Sequence, residues 1–235
     1  MQTNSPTSLE MNRLYLMDCM IGMAQIPDKY FELAIVDPPY GIGEDGGKCR
    51  TRKSKRTNGV KKHWDNEKPS QNYFDEIQRV SKNQIVWGGN YFANMLQPSR
   101  CWLYWEKLMG GDFSDGELAW TSFDATLRQF TFCNKSDGRI HPTQKPVALY
   151  KWLLKNYAKA GDKILDTHVG SASSLIACYD MGFDFMGFEL DADYHAAATK
   201  RLNDHMAQER LIVPNTNRVQ QTFQTLSEEN DDETN

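Results

Sequence analysis

The sequence predicts an α/β fold: a mostly parallel sheet of seven strands with helices on both faces. Three observations predict it. Short apolar segments alternate with helix-forming ones along the chain. Two of them, Leu33-Ala34-Ile35-Val36 and Gln84-Ile85-Val86-Trp87, are almost continuously apolar, as strands covered on both sides are. A strand, a glycine turn, a helix and another strand follow one another in the C-terminal third.

The strands are expected at 13–18, 31–36, 83–88, 101–105, 125–133, 162–166 and 184–189, where Val, Ile, Leu and aromatic residues concentrate. A helix is expected over 146–158, because Leu149, Trp152, Leu153 and Tyr157 recur at helical spacing. Two more are expected over 171–181 and 191–207, which are rich in helix formers. Residues 41–68 form a glycine-rich, then basic loop, far longer than the usual connection of about 4 to 6 residues, which marks it as functional or mobile. The 235 residues, 40% hydrophobic and 25% charged, suit one domain over 1–215 followed by a polar, acidic, frayed tail over 216–235. The stretch 106–140 leaves room for a small insertion and for no separate domain.

Charge is unevenly placed. The formal value is −4, but Glu228, Glu229, Asp231, Asp232 and Glu233 lie together in the tail, and without them it is +1. Lys48, Arg50, Arg52, Lys53, Lys55, Arg56, Lys61 and Lys62 fall in one short segment that holds no acid. Such a run either contacts phosphates or is a solvated insertion. No apolar run reaches the roughly 18 residues of a membrane span, and the first 30 residues lack a signal layout, so a cytoplasmic place is expected. The five cysteines are scattered and never form Cys-x-x-Cys, so they read as reduced thiols rather than a disulfide framework or zinc site.

Two segments carry chemistry. In the first, Asp37-Pro38-Pro39-Tyr40 leaves the strand at 31–36 at its carboxyl end, where open α/β sheets bind ligands. Proline stiffens the turn and fixes its carbonyls. A rigid pair of acceptors, the Asp37 carboxylate and the Pro38 carbonyl, beside a ring that can stack suits a planar base with an exocyclic amine. Holding both N–H groups turns the nitrogen lone pair out of conjugation and aims it at an electrophilic carbon. The alternative is a plain proline turn leaving a buried strand. In the second, Asp162–Asp166 is a strand, Thr167-His168-Val169-Gly170-Ser171-Ala172 a turn, and Glu189 ends the next strand. That layout holds an adenosine moiety, with the acid on the ribose hydroxyls. A single glycine gives pyrophosphate little to sit on, which favours a nucleoside without phosphates. An ordinary strand-turn-helix with a surface glutamate is the alternative.

Asp37-Pro-Pro-Tyr40, Trp87-Gly-Gly-Asn-Tyr-Phe92, His141-Pro-Thr-Gln-Lys-Pro146, Asp166-Thr-His-Val-Gly-Ser171 and Phe188-Glu-Leu-Asp191 resemble, in that order, the beta class of DNA amino-methyltransferases. The resemblance covers about residues 13 to 205 and is nearest in character to small phage or prophage adenine-specific members. It implies a Rossmann-like methyltransferase fold with permuted motif order, S-adenosylmethionine as cofactor and duplex DNA as partner, its target base flipped out. It implies catalysis by Asp37, Pro38, Pro39 and Tyr40, with Asp37 also bordering the cofactor. It places Asp166, His168, Gly170 and Ser171 along the methionine and ribose, Glu189 and Asp191 at the ribose end, and Thr143 and Lys145 near the amino-acid carboxylate. His141 is a contact or a loop histidine; Asp18 and Cys19 lie near the adenine or simply end a strand. One departure stands out: Thr167-His168 replaces the Pro-Phe pair of most relatives, and Ala172 their second glycine.

Asp at the head of the tetrapeptide favours adenine N6 over cytosine N4. Carbon methylation of cytosine is disfavoured because no cysteine follows a proline. Asp112, Ser114, Asp115, Glu117 and Arg128 are candidates for reading bases, while Trp102, Trp105, Trp120 and Phe130 are expected in the core. The competing readings are N4-cytosine methylation, a nicotinamide-dependent oxidoreductase using Glu189, and a catalytically idle DNA-binding homologue. Self-association and a companion restriction enzyme are left open.

Overall fold

The structure, a computed structural model, describes residues 8–43, 64–108, 114–133 and 140–212. The eight basic residues from Lys48 to Lys62, Asp112 and the acidic tail lie outside the described residues.

The chain runs β1 (Arg13–Leu16), α1 (Cys19–Met23), β2 (Phe31–Val36), α2 (Gln71–Val80), β3 (Ser81–Trp87) and a short 3₁₀ turn at Gly89–Tyr91. It continues through β4 (Trp102–Glu106), β5 (Gly116–Thr121), β6 (Arg128–Thr131), α3 (Val147–Tyr157), β7 (Lys163–Asp166), α4 (Ser173–Asp180), β8 (Asp184–Glu189) and α5 (Ala192–Ile212). The strands form a single sheet in the order β1-β8-β7-β2-β3-β5-β4-β6. Neighbours are parallel except where β5 pairs antiparallel with β3 and β4.

Continuous apolar runs in β2 and β3 follow from this architecture, because successive side chains point to opposite faces and both faces are covered. Leu33, Ile35, Ile85 and Trp87 face one core with Leu149 and Leu153 of α3, Leu175 and Ile176 of α4, and Ala198 and Leu202 of α5. Ala34, Val36, Val86, Leu165 and Phe188 face the other, with Met23 of α1 and Phe74 and Ile77 of α2. At roughly 25 cal/mol per Å² of apolar area, these two layers supply the main stabilisation.

The described residues hold eight strands, one more than expected. β5 was missed because Gly116-Glu-Leu-Ala-Trp-Thr is short and carries a glycine and an acid at its start. With β6 it joins the main sheet from within the stretch 106–140, of which residues 109–113 and 134–139 lie outside the described residues. α1 and α2 were also missed, although Tyr73, Phe74, Ile77 and Val80 give α2 an apolar face. Trp105 and Trp120 are buried as expected, while Trp102 and Phe130 pack partly buried against the core. Among the described residues, no helix is long and apolar enough to cross a membrane.

The sheet order positions the site. β2 lies between β7 and β3, and β8 between β7 and β1, all parallel. The carboxyl ends of five strands therefore share one edge, bringing together Asp18, Asp37, Gly88, Thr167 and Glu189.

Candidate active site

Two cavities of about 500 and 480 Å³ open along that edge, within the usual range for small-molecule sites. The first is lined by Asp37, Pro38, Pro39 and Tyr40 together with Tyr91, Trp105, Lys107 and Glu117. The second is lined by Asp18, Cys19, His141, Tyr150, His168, Gly170, Ser171, Glu189, Asp191 and Tyr194, among others. They share a wall made by Asp37, Pro39, Trp64, Thr143, Gln144 and Lys145. The stiff corner after β2 thus stands where the two spaces meet.

Charges alternate across this junction. The Lys145 ammonium, buried with its residue 3% exposed, donates to Asp37 Oδ2 at 2.5 Å and to the Tyr40 hydroxyl at 3.2 Å, and pairs with Glu117 Oε2 at 3.0 Å. The other Glu117 oxygen pairs with Lys107. The Tyr40 hydroxyl donates to Asp37 Oδ1 at 2.7 Å. Burial pushes the Asp37 carboxyl up against the pull of Lys145. Burial opposes ionisation of Glu117 as well, but Lys145 and Lys107 outweigh it and hold Glu117 at about 2. Burial also works against the charged form of Lys145, and the two carboxylates overcome it, so the ammonium stays protonated.

Lys145 was expected beside a cofactor carboxylate. It lines both cavities, yet its three N–H groups are committed to Asp37, Glu117 and Tyr40. Tyr40 also departs from expectation: one ring face is already stacked on Tyr91, with centroids 4.9 Å apart and planes at 18°. Gly88, in the left-handed region at φ 68°, lets the backbone lie against that ring; a Cβ there would come within 2.2 Å of it.

The second cavity is built by a backbone cradle. Glu189 Oε2 accepts from the Gly170 amide at 2.9 Å and Oε1 from the Asp191 amide at 2.8 Å, which fixes the turn against the end of β8. Asp18 caps α1 by accepting from the Met20 amide, and Asp191 accepts from the Asp193 and Tyr194 amides at the start of α5. His141 packs between the rings of Trp64 and Tyr194. Burial pushes the Cys19 thiol up to about 12, so it supplies no thiolate. Burial lowers His168 to about 4; its Nδ1 bonds the Thr167 hydroxyl at 2.9 Å, and that hydroxyl bonds Tyr73 at 2.6 Å.

Of the twelve residues expected around the cofactor, eleven line this cavity. Asp166 does not. It lies behind the wall, accepting from Ser174 Oγ at 2.5 Å and from the His168 amide at 3.0 Å, and burial raises its carboxyl to about 7. Its position on β7 makes it a brace for the turn. Ser114, Asp115 and Glu117 line the first cavity, whereas Arg128 is exposed on β6 and lines neither. Sequence reasoning missed Trp64, Tyr73, Tyr91, Lys107 and Tyr194, and gave Glu117 no part in the ion network. The Tyr91 signal was present in the motif around it; nothing local marks the others.

The fold is the Rossmann-like α/β arrangement also seen in solved S-adenosylmethionine-dependent DNA methyltransferases. Residues 86–200 match the family model described as DNA methylase, of the N6/N4 type. It is 25% identical over 218 residues to the "Putative methylase YubD" of Escherichia coli (strain K12), covering 82% of this chain and 90% of that one. It is 35% identical over 72 residues to the type II methyltransferase M.HpaI of Haemophilus parainfluenzae, covering 31% of this chain and 23% of that one. Two solved structures share the fold. The M1.HpyAVI–SAM complex has a TM-score of 0.58 at 17% identity, covering 80% of this chain and 98% of that one. The PvuII cytosine-N4-specific DNA methyltransferase has a TM-score of 0.57 at 14% identity, covering 82% of this chain and 90% of that one.

Proposed function

We propose that this chain is a DNA methyltransferase of the N6/N4 type that takes its methyl group from S-adenosylmethionine and places it on the exocyclic N6 of adenine in duplex DNA, with the target base flipped out. The observation that carries the reading is the junction: Asp37 and Pro39 line both cavities, so an amine held there faces the cofactor space directly.

The cofactor cavity suits this cosubstrate. Asp18, Asp37, Glu189 and Asp191 line it, and the charge of Lys145 is spent inside the ion network. A cationic nucleoside is favoured there, and a pyrophosphate is opposed, which argues against the nicotinamide reading. Gly170, at φ 55° against the His141 ring, keeps the turn free of a side chain where a ribose would approach Glu189. Bound S-adenosylmethionine supplies a methyl carbon made electrophilic by its sulfonium.

The chain's own residues supply positioning. Asp37 and the Pro38 carbonyl accept the two N–H groups of the target, turning the nitrogen lone pair toward the cofactor space. Tyr40 and Lys145 hold the Asp37 carboxylate in place. The aromatic wall at Tyr91 offers stacking, worth about 1 to 3 kcal/mol per base, to offset flipping. Adenine is favoured by Asp rather than Ser at position 37. The basic residues from Lys48 to Lys62 are proposed to contact phosphates, since that segment leaves and rejoins the described chain beside the first cavity. The Gly41 amide donates to Asp65 Oδ1 at 2.8 Å there, and the Gly43 amide to the Asp65 carbonyl at 3.1 Å.

Incubating the protein with methyl-labelled S-adenosylmethionine and DNA, followed by nucleoside analysis, tests the reading. Label in N6-methyladenine that disappears in Asp37→Asn supports it. Label only in N4-methylcytosine overturns the choice of base, and no label in DNA overturns the activity.

A further inference from the structure

The proton shed by the methylated amine has no assigned destination, and the ion network around Asp37 contains a carboxylate with no assigned task. We propose that Glu117 is a positioning residue that, through the ammonium it shares with Asp37, leaves the Asp37 carboxylate able to take that proton. This rests on the reading that Asp37 receives the target amine.

Two carboxylates from different strands meet one ammonium. Asp37 follows β2, Glu117 comes from β5, and Lys145 precedes α3, with contacts of 2.5 Å to Asp37 and 3.0 Å to Glu117. An undivided ammonium against a buried carboxylate would fix it in its ionised form and make it a poor proton acceptor. Glu117 divides that charge. Lys107 grips the other Glu117 oxygen from beyond β4, so Glu117 stays ionised and in place. The remaining titratable groups that act on Asp37 or feel its charge are Tyr40 on the same turn, Tyr73 on α2, Tyr150 on α3 and Asp166 on β7. Burial keeps the three hydroxyls neutral, and Asp166 is braced by Ser174 and the His168 amide. Glu117 is thus the charge that sets how tightly Lys145 holds Asp37.

The transfer balances. The amine nitrogen bonds to the methyl carbon as the carbon–sulfur bond breaks, and that electron pair stays on sulfur as a neutral thioether. Nitrogen, now cationic, gives one proton to Asp37, which passes it to water.

The test compares wild type, Glu117→Gln and Glu117→Asp. Carbon-13 carboxyl signals, with Asp37 assigned through Asp37→Asn, are titrated in protein without DNA or cofactor, and single-turnover methyl transfer is followed against pH. In Glu117→Gln, the Asp37 titration and the acid limb of the rate should both move down by about one pH unit. The plateau rate should fall several-fold, S-adenosylmethionine affinity by calorimetry should stay within about twofold, and Glu117→Asp should restore the limb. An Asp37 signal that titrates at the same pH in Glu117→Gln overturns the proposal, as does a loss of cofactor affinity parallel to the loss of rate. A wild-type protein that methylates no DNA would overturn the functional reading instead, while the carbon-13 titration still decides on Glu117.

Discussion

Lys145 and Asp37 stand 108 positions apart in the chain and meet in a 2.5 Å ion pair on the wall shared by both cavities. The pair joins the element before α3 to the corner after β2, so catalytic geometry and folding energy rest on the same contact. Lys145→Met should leave Asp37 buried without its cation, and removing one partner of a buried pair costs about 3 to 5 kcal/mol. The sign of the pH dependence follows. Without Lys145 the Asp37 carboxyl is raised further above its unfolded value, so stability is retained at low pH and lost as pH rises. Thermal melts of the variant should approach wild type near pH 5 and fall well below it near pH 8; equal melting at both would contradict the pairing.

Gly88 and Gly182 separate steric from conformational cost. Both have positive φ, 68° and 72°, but a Cβ on Gly88 enters the Tyr40 ring, whereas one on Gly182 meets nothing within 4 Å. Gly182→Ala should cost only the left-handed strain, about 1 kcal/mol, and keep full activity. Gly88→Ala should push Tyr40 off Asp37 and lower kcat at least tenfold. Equal activity in the two variants would show that Tyr40 placement does not matter.

Glu189 holds two backbone amides and faces the cofactor space. Glu189→Gln replaces one acceptor oxygen with an amine that opposes an amide, and hydrogen bonds to charged groups are worth about 1.5 to 3 kcal/mol. The Kd for S-adenosylmethionine by calorimetry should rise roughly ten- to a hundred-fold, since about 1.4 kcal/mol is tenfold. An unchanged Kd would remove Glu189 from the cofactor site.

Asp166 and His168 give opposite pH slopes. Burial holds His168 neutral down to about 4, below its unfolded value of 6.5, so it contributes stability present above 6.5 and lost as pH falls. Burial raises Asp166 to about 7 from 3.8, so its contribution is present below 3.8 and lost as pH rises toward 7. Between about pH 4 and 6.5 the two oppose each other and wild-type stability should change little on their account. His168→Gln should uncover the Asp166 slope, with unfolding free energy in urea falling steadily from about pH 4 to 7; a flat profile would contradict it.

Strand cores and the cofactor cradle were legible in the sequence because their signals are local. The apolar runs of β2 and β3, the strand–turn–helix around Gly170 and the acid at the end of β8 each lie within a few residues. Glu117 was named as a candidate for reading bases, but its part in the ion network escaped because that comes from β5 pairing between β3 and β4, a long-range contact that leaves no mark in Gly116-Glu-Leu-Ala. Lys145 was assigned to the correct edge of the sheet but to another partner, since sequence spacing says nothing about a contact across 108 positions. Asp166 illustrates the converse. A carboxylate in a ligand-binding turn looks like a ligand contact until it is seen to line neither cavity, its oxygens turned instead to Ser174 and the His168 amide.

The central claim is that the Asp37 corner presents an adenine amine to the cofactor space. Its most direct test is modified-base sequencing of DNA from cells making the wild-type chain or Asp37→Asn. The account predicts N6-methyladenine at defined positions with the wild type and none with Asp37→Asn. N6-methyladenine that persists in the variant, or methyl groups found solely on cytosine, would contradict it.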